Sequence, residues 1–222
     1  MITVSVPASV RPPDAKPLPV AGLVPFSSVD WPGILCAVLF CQGCPWQCRY
    51  CHNAHLRPFD EGESWEWDRV IGFLTSRQGF LEGVVFSGGE ATAHATLAEA
   101  IREVRSLGFR IGLHTSGSYP ARLATILPLV DWVGLDIKAP LDERYDIISG
   151  AQGSSGKVRE SLNLVLASGI DHQLRTTVHP RLLSEEDIAA LQEELATMSA
   201  GPSVIQTFRP QGCEDEELLR SF

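Results

Sequence analysis

Residues 34–53 read Ile34-Leu-Cys-Ala-Val-Leu-Phe-Cys-Gln-Gly-Cys-Pro-Trp-Gln-Cys-Arg-Tyr-Cys-His-Asn53, an apolar run followed at once by a loop carrying Cys44, Cys48 and Cys51. The run Ile34–Phe40 reads as a short buried strand. Outward from it the same unit recurs. Strand-like segments fall at Gly83–Phe86, Phe109–His114, Trp132–Ile137, Gln173–Val178 and Ser203–Phe208. Helical spacing falls between them, at Trp65–Arg77, Thr96–Leu107, Ala121–Leu127, Val158–Ser168 and Glu185–Met198, the last with Ser184 as N-cap. Strands alternating with helices imply a parallel sheet with right-handed crossovers and helices on its outer face. Such a sheet is either doubly wound or an incomplete barrel. In both, functional residues gather at the carboxyl ends of the strands, where the cysteine loop begins.

Three thiolates spaced three and then two residues apart can converge from one loop onto one iron–sulfur cluster. A cubane has four irons, so three cysteines leave one iron open to a substrate. Two other readings use Cys41 as a fourth ligand. A zinc ribbon ordinarily separates its cysteine pairs by a dozen or more residues, against three here. A closed four-cysteine cluster would only carry electrons, and its spacing in bacterial ferredoxins differs. Cys36 and Cys213 read as buried thiols. Clustered cysteines without a secretion signal favour metal ligation over disulfides.

The chain has 222 residues, 44% of them hydrophobic and 20% charged, with a formal net charge of −9. This fits one α/β domain. The negative charge argues against non-specific nucleic-acid binding. No run approaches the roughly 20 apolar residues of a membrane span, and the expected location is cytoplasmic, with neither nucleic acid nor membrane as partner. Residues 1–20 read as a flexible proline-rich lead-in, 21–211 as the core domain, and 212–222 as an acidic, peripheral tail.

Cys44-x3-Cys48-x2-Cys51, with Tyr50 before the last cysteine, resembles the signature of the radical S-adenosylmethionine (SAM) superfamily, and Cys51-His52-Asn53 is similar to glycyl-radical-enzyme activases. The longer pattern resembles the activating proteins of anaerobic (class III) ribonucleoside-triphosphate reductase. It runs through Gly22-Leu-Val-Pro-Phe-Ser27, Asp30-Trp-Pro-Gly33, Phe40-Cys-Gln-Gly-Cys44, Phe86-Ser-Gly-Gly-Glu90, Asp136-Ile-Lys-Ala-Pro140, Arg175-Thr-Thr-Val178 and Phe208-Arg-Pro210. The expected fold is therefore six βα units forming an incomplete TIM-type barrel.

The resemblance implies a [4Fe-4S] cluster on Cys44, Cys48 and Cys51, with SAM on the open iron. It implies SAM contacts from Tyr50, His52, Gly88, Gly89, Glu90, Ser116, Asp136, Lys138 and Arg175. Gly88 and Gly89 would let backbone approach the ligand without a Cβ clash, and Glu90 would accept from its amino group. Asp136 and Lys138 could equally be a surface ion pair, and Arg175 an ordinary alternating strand residue. Ala91 stands where the family commonly has proline, and Ser116 where related chains have asparagine. The implied chemistry is reductive cleavage of SAM to a 5′-deoxyadenosyl radical, which takes hydrogen from a glycine of the reductase. The electron donor would be of flavodoxin or ferredoxin type. No residue is required as a general acid or base. The alternatives are a radical SAM enzyme acting on a small molecule, such as a 7-carboxy-7-deazaguanine synthase, and a [4Fe-4S] electron-transfer protein.

Overall fold

The computed structural model describes residues 17–60 and 64–220. Most of the expected lead-in, residues 1–16, lies outside the described residues, as do residues 221 and 222 of the tail.

A seven-stranded sheet runs in chain order: β1 (Val20–Ser27), β2 (Cys36–Cys41), β3 (Gly83–Gly88), β4 (Arg110–Thr115), β5 (Trp132–Asp136), β6 (His172–Val178) and β7 (Val204–Thr207). Strands β2 to β7 are the six expected strands, all parallel. The sheet is not closed, as in a partial TIM-type barrel: β1 and β7 are its two ends. Strand β1 was not anticipated, and it pairs antiparallel with β2. Leu18 and Val20, within the expected lead-in, pack in the core.

The crossovers are α1 (Trp67–Thr75), α2 (Leu97–Ser106), α3 (Pro120–Ile126), α4 (Glu143–Ser149) with α5 (Ser154–Ser168), and α6 (Glu185–Thr197); α7 (Glu216–Leu219) follows β7. Each of α1 to α6 buries apolar side chains in the main core. Helix α2 turns Leu97, Ala100, Ile101 and Val104 inward, the spacing of a single apolar face. Helix α6 starts on a reciprocal capping box between Ser184 and Asp187. The main core lies between sheet and helices. A second cluster fills the inner face, where Trp31 stacks on Trp132 at 5.7 Å between centroids. Gly83 and Gly112 make room for it: a Cβ on either would come within about 3 Å of the Trp31 ring. The closed inner end leaves the carboxyl ends of the parallel strands as the open end.

The C-terminal tail is not peripheral. Cys213 and Leu218 are buried in the main core, and α7 is held against the cysteine loop.

Candidate active site

The cysteine loop has no regular structure between Cys44 and Asn53, so its backbone must find partners elsewhere. The Cys44 N–H donates to the Arg57 carbonyl at 2.9 Å. The Gln47 and Arg49 N–H groups donate to the Ser149 and Ile148 carbonyls at the end of α4, at 2.9 and 3.2 Å. Cys44, Cys48 and Cys51 all line one cavity of about 770 Å³ at the carboxyl ends of the strands. Cys41 is fully buried in β2 and is not on the wall of that cavity.

These thiols fit a metal cluster by their chemistry. Burial, with the Glu90 carboxylate adding to it, pushes the Cys44 thiol up to about 12. Burial also raises the Cys48 thiol, against the opposing pull of Lys138. Thiolates in such surroundings need cationic metal beside them. Among the described residues no three His, Cys, Asp or Glu side chains meet about a single ion; a cluster that takes one thiolate per iron needs no such common point.

Gly88 and Gly89, at the end of β3, lie on the same wall and also pack on the root of the cysteine loop. Gly88 has φ of 117°, and a Cβ there would lie 2.1 Å from the Cys41 nitrogen. A Cβ on Gly89 would lie 2.4 Å from the Gly43 oxygen. Both glycines thus allow a close backbone approach to the root of the cysteine loop. The Gly89 and Glu90 N–H groups donate there, to the Cys41 and Gly43 carbonyls at 2.9 and 2.8 Å.

Glu90 lies one layer behind the cavity, 1% exposed. Its Oε1 accepts from Thr92 N–H (3.1 Å), Thr92 Oγ1 (2.6 Å) and Thr115 Oγ1 (2.7 Å). Its Oε2 accepts from the Ser116 N–H (2.8 Å) and Oγ (2.5 Å). Ser116 reaches the wall, but both its donors point back to Glu90. Ala91 is fully buried and begins a single turn at residues 91–93.

The far wall is charged. Arg175 contacts Asp136 Oδ1 through Nε at 3.0 Å and Nη2 at 2.8 Å, which puts its side chain on the cavity face. Lys138 is buried, 4.0 Å from Asp136 Oδ2, with its ammonium over the rings of Tyr50 (5.6 Å) and Trp46 (5.9 Å). This is a lining pair rather than a surface one. Burial alone would raise the Asp136 carboxyl; Arg175 and Lys138 outweigh it and hold it below the usual carboxylate range. His52 lines the cavity with its ring tilted on Phe208, while its Nε2 accepts from the Arg209 N–H at 3.2 Å.

His114 also lines the wall and carried no expected role. His114 Nε2 sits 2.7 Å from the Asp30 carbonyl and 3.0 Å from Arg175 Nη1. Its place at a strand end was visible in the sequence; its partners Asp30, Arg175 and Ser87, from three other segments, were not.

Residues 38–196 match the radical SAM superfamily. A protein of Methanocaldococcus jannaschii named for glycyl-radical enzyme activation is 28% identical over 90% of this chain and 84% of its own. The pyruvate formate-lyase-activating enzyme of Clostridium pasteurianum is 31% identical over 73% of this chain and 70% of its own. Among solved structures, QueE from Escherichia coli superposes with a TM-score of 0.52 at 17% identity, covering 92% of this chain and 91% of QueE. The chain belongs to the radical SAM superfamily and, within it, is of the glycyl-radical-enzyme activase type. The cofactors of this family are a [4Fe-4S] cluster and SAM.

Proposed function

We propose that this chain uses SAM to place a glycyl radical on an anaerobic (class III) ribonucleoside-triphosphate reductase. The observation that carries the reading is the meeting of Cys44, Cys48 and Cys51 with the strand-end residues of β3 to β6 on one cavity. When bound, the cluster would supply one electron, received from an external donor of flavodoxin or ferredoxin type, for the reductive cleavage of SAM. Cys44, Cys48 and Cys51 would hold three irons. Asp136, Lys138 and Arg175 present paired charges that can orient a zwitterionic sulfonium, and Tyr50 and His52 offer ring faces beside it. Glu90 supports the wall through Thr115 and Ser116. The chain contributes orientation and exclusion of water.

Two features support a protein substrate. The relatives at 28% and 31% identity are named for activating enzymes. The sheet is also open between β1 and β7, so a glycine-bearing loop could cover the mouth that the short βα units leave. The choice of reductase rests on the run of motifs from Gly22 to Pro210.

The test is anaerobic mixing of reduced protein, SAM and the class III reductase. The expected product is an organic radical on the reductase whose doublet collapses when the glycine α-hydrogen is deuterium. A radical formed only on pyruvate formate-lyase would reassign the partner. Rapid turnover on a small molecule with no protein radical would overturn the activase reading for this chain.

A further inference from the structure

The cysteine loop is gripped on one side by α4 and residue 57. Its other side, residues 49–52, is met by a segment more than 150 positions later. The Phe208 ring lies 5.6 Å from that of His52, and the Arg209 N–H donates to His52 Nε2 at 3.2 Å. Gly212 passes over the His52 carbonyl so closely that a Cβ would sit 1.9 Å from its oxygen, and its φ of 77° is one that glycine favours. Cys213 Sγ donates to the Arg49 carbonyl at 3.4 Å. Asp215 and Glu217 take the Arg49 guanidinium at 2.7 and 2.8 Å, and Glu214 takes Arg57.

Asp215 does two things at once. Its carboxylate caps α7 by accepting from the Glu217 and Leu218 N–H groups, each at 3.1 Å, while it holds Arg49. Leu218, fully buried, roots α7 in the main core. The core thus fixes α7, α7 fixes Asp215, and Asp215 fixes Arg49. Arg49 directly follows Cys48, and His52 directly follows Cys51, so both gripped residues are chain neighbours of thiols on the cavity wall.

We propose that residues 208–219 are a clamp that sets the position of the cluster-bearing loop, with Arg49, Gly212 and Asp215 as its positioning residues. The clamp holds the loop before any cofactor is present, so that the three thiolates are preorganised. The inference rests on reading Cys44, Cys48 and Cys51 as the cluster ligands, and its test is chosen to stand apart from that reading.

The experiment is amide hydrogen exchange on the full-length apoprotein, comparing a peptide spanning residues 44–53 with peptides from β3, β4 and β5. Asp215→Asn removes the negative charge that Asp215 presents to Arg49, and Gly212→Ala pushes on the His52 carbonyl without changing charge. Each should speed exchange of the loop by about tenfold or more while the strands stay at the native rate. Asp215→Glu should recover most of the protection. In reconstituted protein, the same two variants should release iron to a chelator faster by a similar factor. Native exchange of the loop in Asp215→Asn, or protection lost equally from loop and strands, would overturn the clamp. Failure of the unaltered chain to hold a cluster would instead sink the ligand assignment and leave the exchange result to decide the clamp.

Discussion

Ser116 gives both of its donors to Glu90, the N–H at 2.8 Å and the hydroxyl at 2.5 Å. With Thr92 and Thr115 this makes five hydrogen bonds on one buried carboxylate, enough to occupy all of its roughly four lone-pair sites. Glu90 therefore ties the end of β4 to the end of β3 and shapes the cavity wall from behind. Glu90→Ala would leave several buried donors without a partner, so the apoprotein should lose roughly 3 kcal/mol or more of stability, and SAM affinity should fall with it. Urea unfolding of the metal-free protein checks this. A variant of native stability that lost only SAM affinity would return Glu90 to the role of a direct contact.

Ligation by three cysteines predicts a sharp difference between Cys41 and the loop. Alanine at Cys44, Cys48 or Cys51 should abolish a stable four-iron cluster and SAM cleavage. Cys41→Ala should keep the iron content of the anaerobically reconstituted protein, because Cys41 is off the cavity wall. Its cost should be one of packing, about 1 kcal/mol. Iron and sulfide analysis distinguishes the cases, and loss of the cluster in Cys41→Ala would restore the four-cysteine reading.

Strands β2 to β5 were legible because each is a short, largely apolar segment closed by a turn or helix signal, and β6 and β7 because β-branched residues follow a helix and its closing turn. The wall residues were legible because ligands gather where such strands end. Strand β1 was not, since Pro25 and the prolines before it hide the pattern of an edge strand. Helix α4 was missed although Asp142 caps it and Gly150 ends it in the left-handed region; at seven residues it is too short for a clear periodicity. What the sequence hides altogether is contact between distant segments. Trp31 closing the inner face, Glu90 turning toward Ser116, and the tail lying on Arg49 and His52 each depend on a partner that no local pattern announces.

Arg175 and Asp136 pair on the charged wall, beside Lys138. Arg175→Ala would leave Asp136 facing the cavity with Lys138 at 4.0 Å as its remaining cation. The expected result is a cluster of unchanged iron content and SAM binding weakened on the order of 10–100-fold, the worth of a charge-assisted contact. Arg175→Lys should recover little, because an ammonium cannot hold Asp136 through both Nε and Nη2 while reaching His114. Binding measured anaerobically on the reconstituted variants tests both statements. Full affinity in Arg175→Ala would remove the pair from the site.

His114 gives the fold a pH dependence with a definite sign. Burial, reinforced by the Arg175 guanidinium 3.0 Å away, lowers its imidazole to about 4, against about 6.5 for an unperturbed histidine. Between those values the unfolded chain carries a proton on this residue that the folded chain does not. Stability from this group must therefore rise as pH increases from about 4 to about 6.5, and fall as pH is lowered through the same window. The full span corresponds to about 3 kcal/mol. His114→Gln can still reach toward Asp30 or Ser87 but does not titrate. The difference in unfolding free energy between native chain and variant, measured on apoprotein in urea, should change across that window and level off above it. A difference that stayed constant from pH 4 to pH 7 would mean that His114 keeps an ordinary affinity for protons in the folded wall.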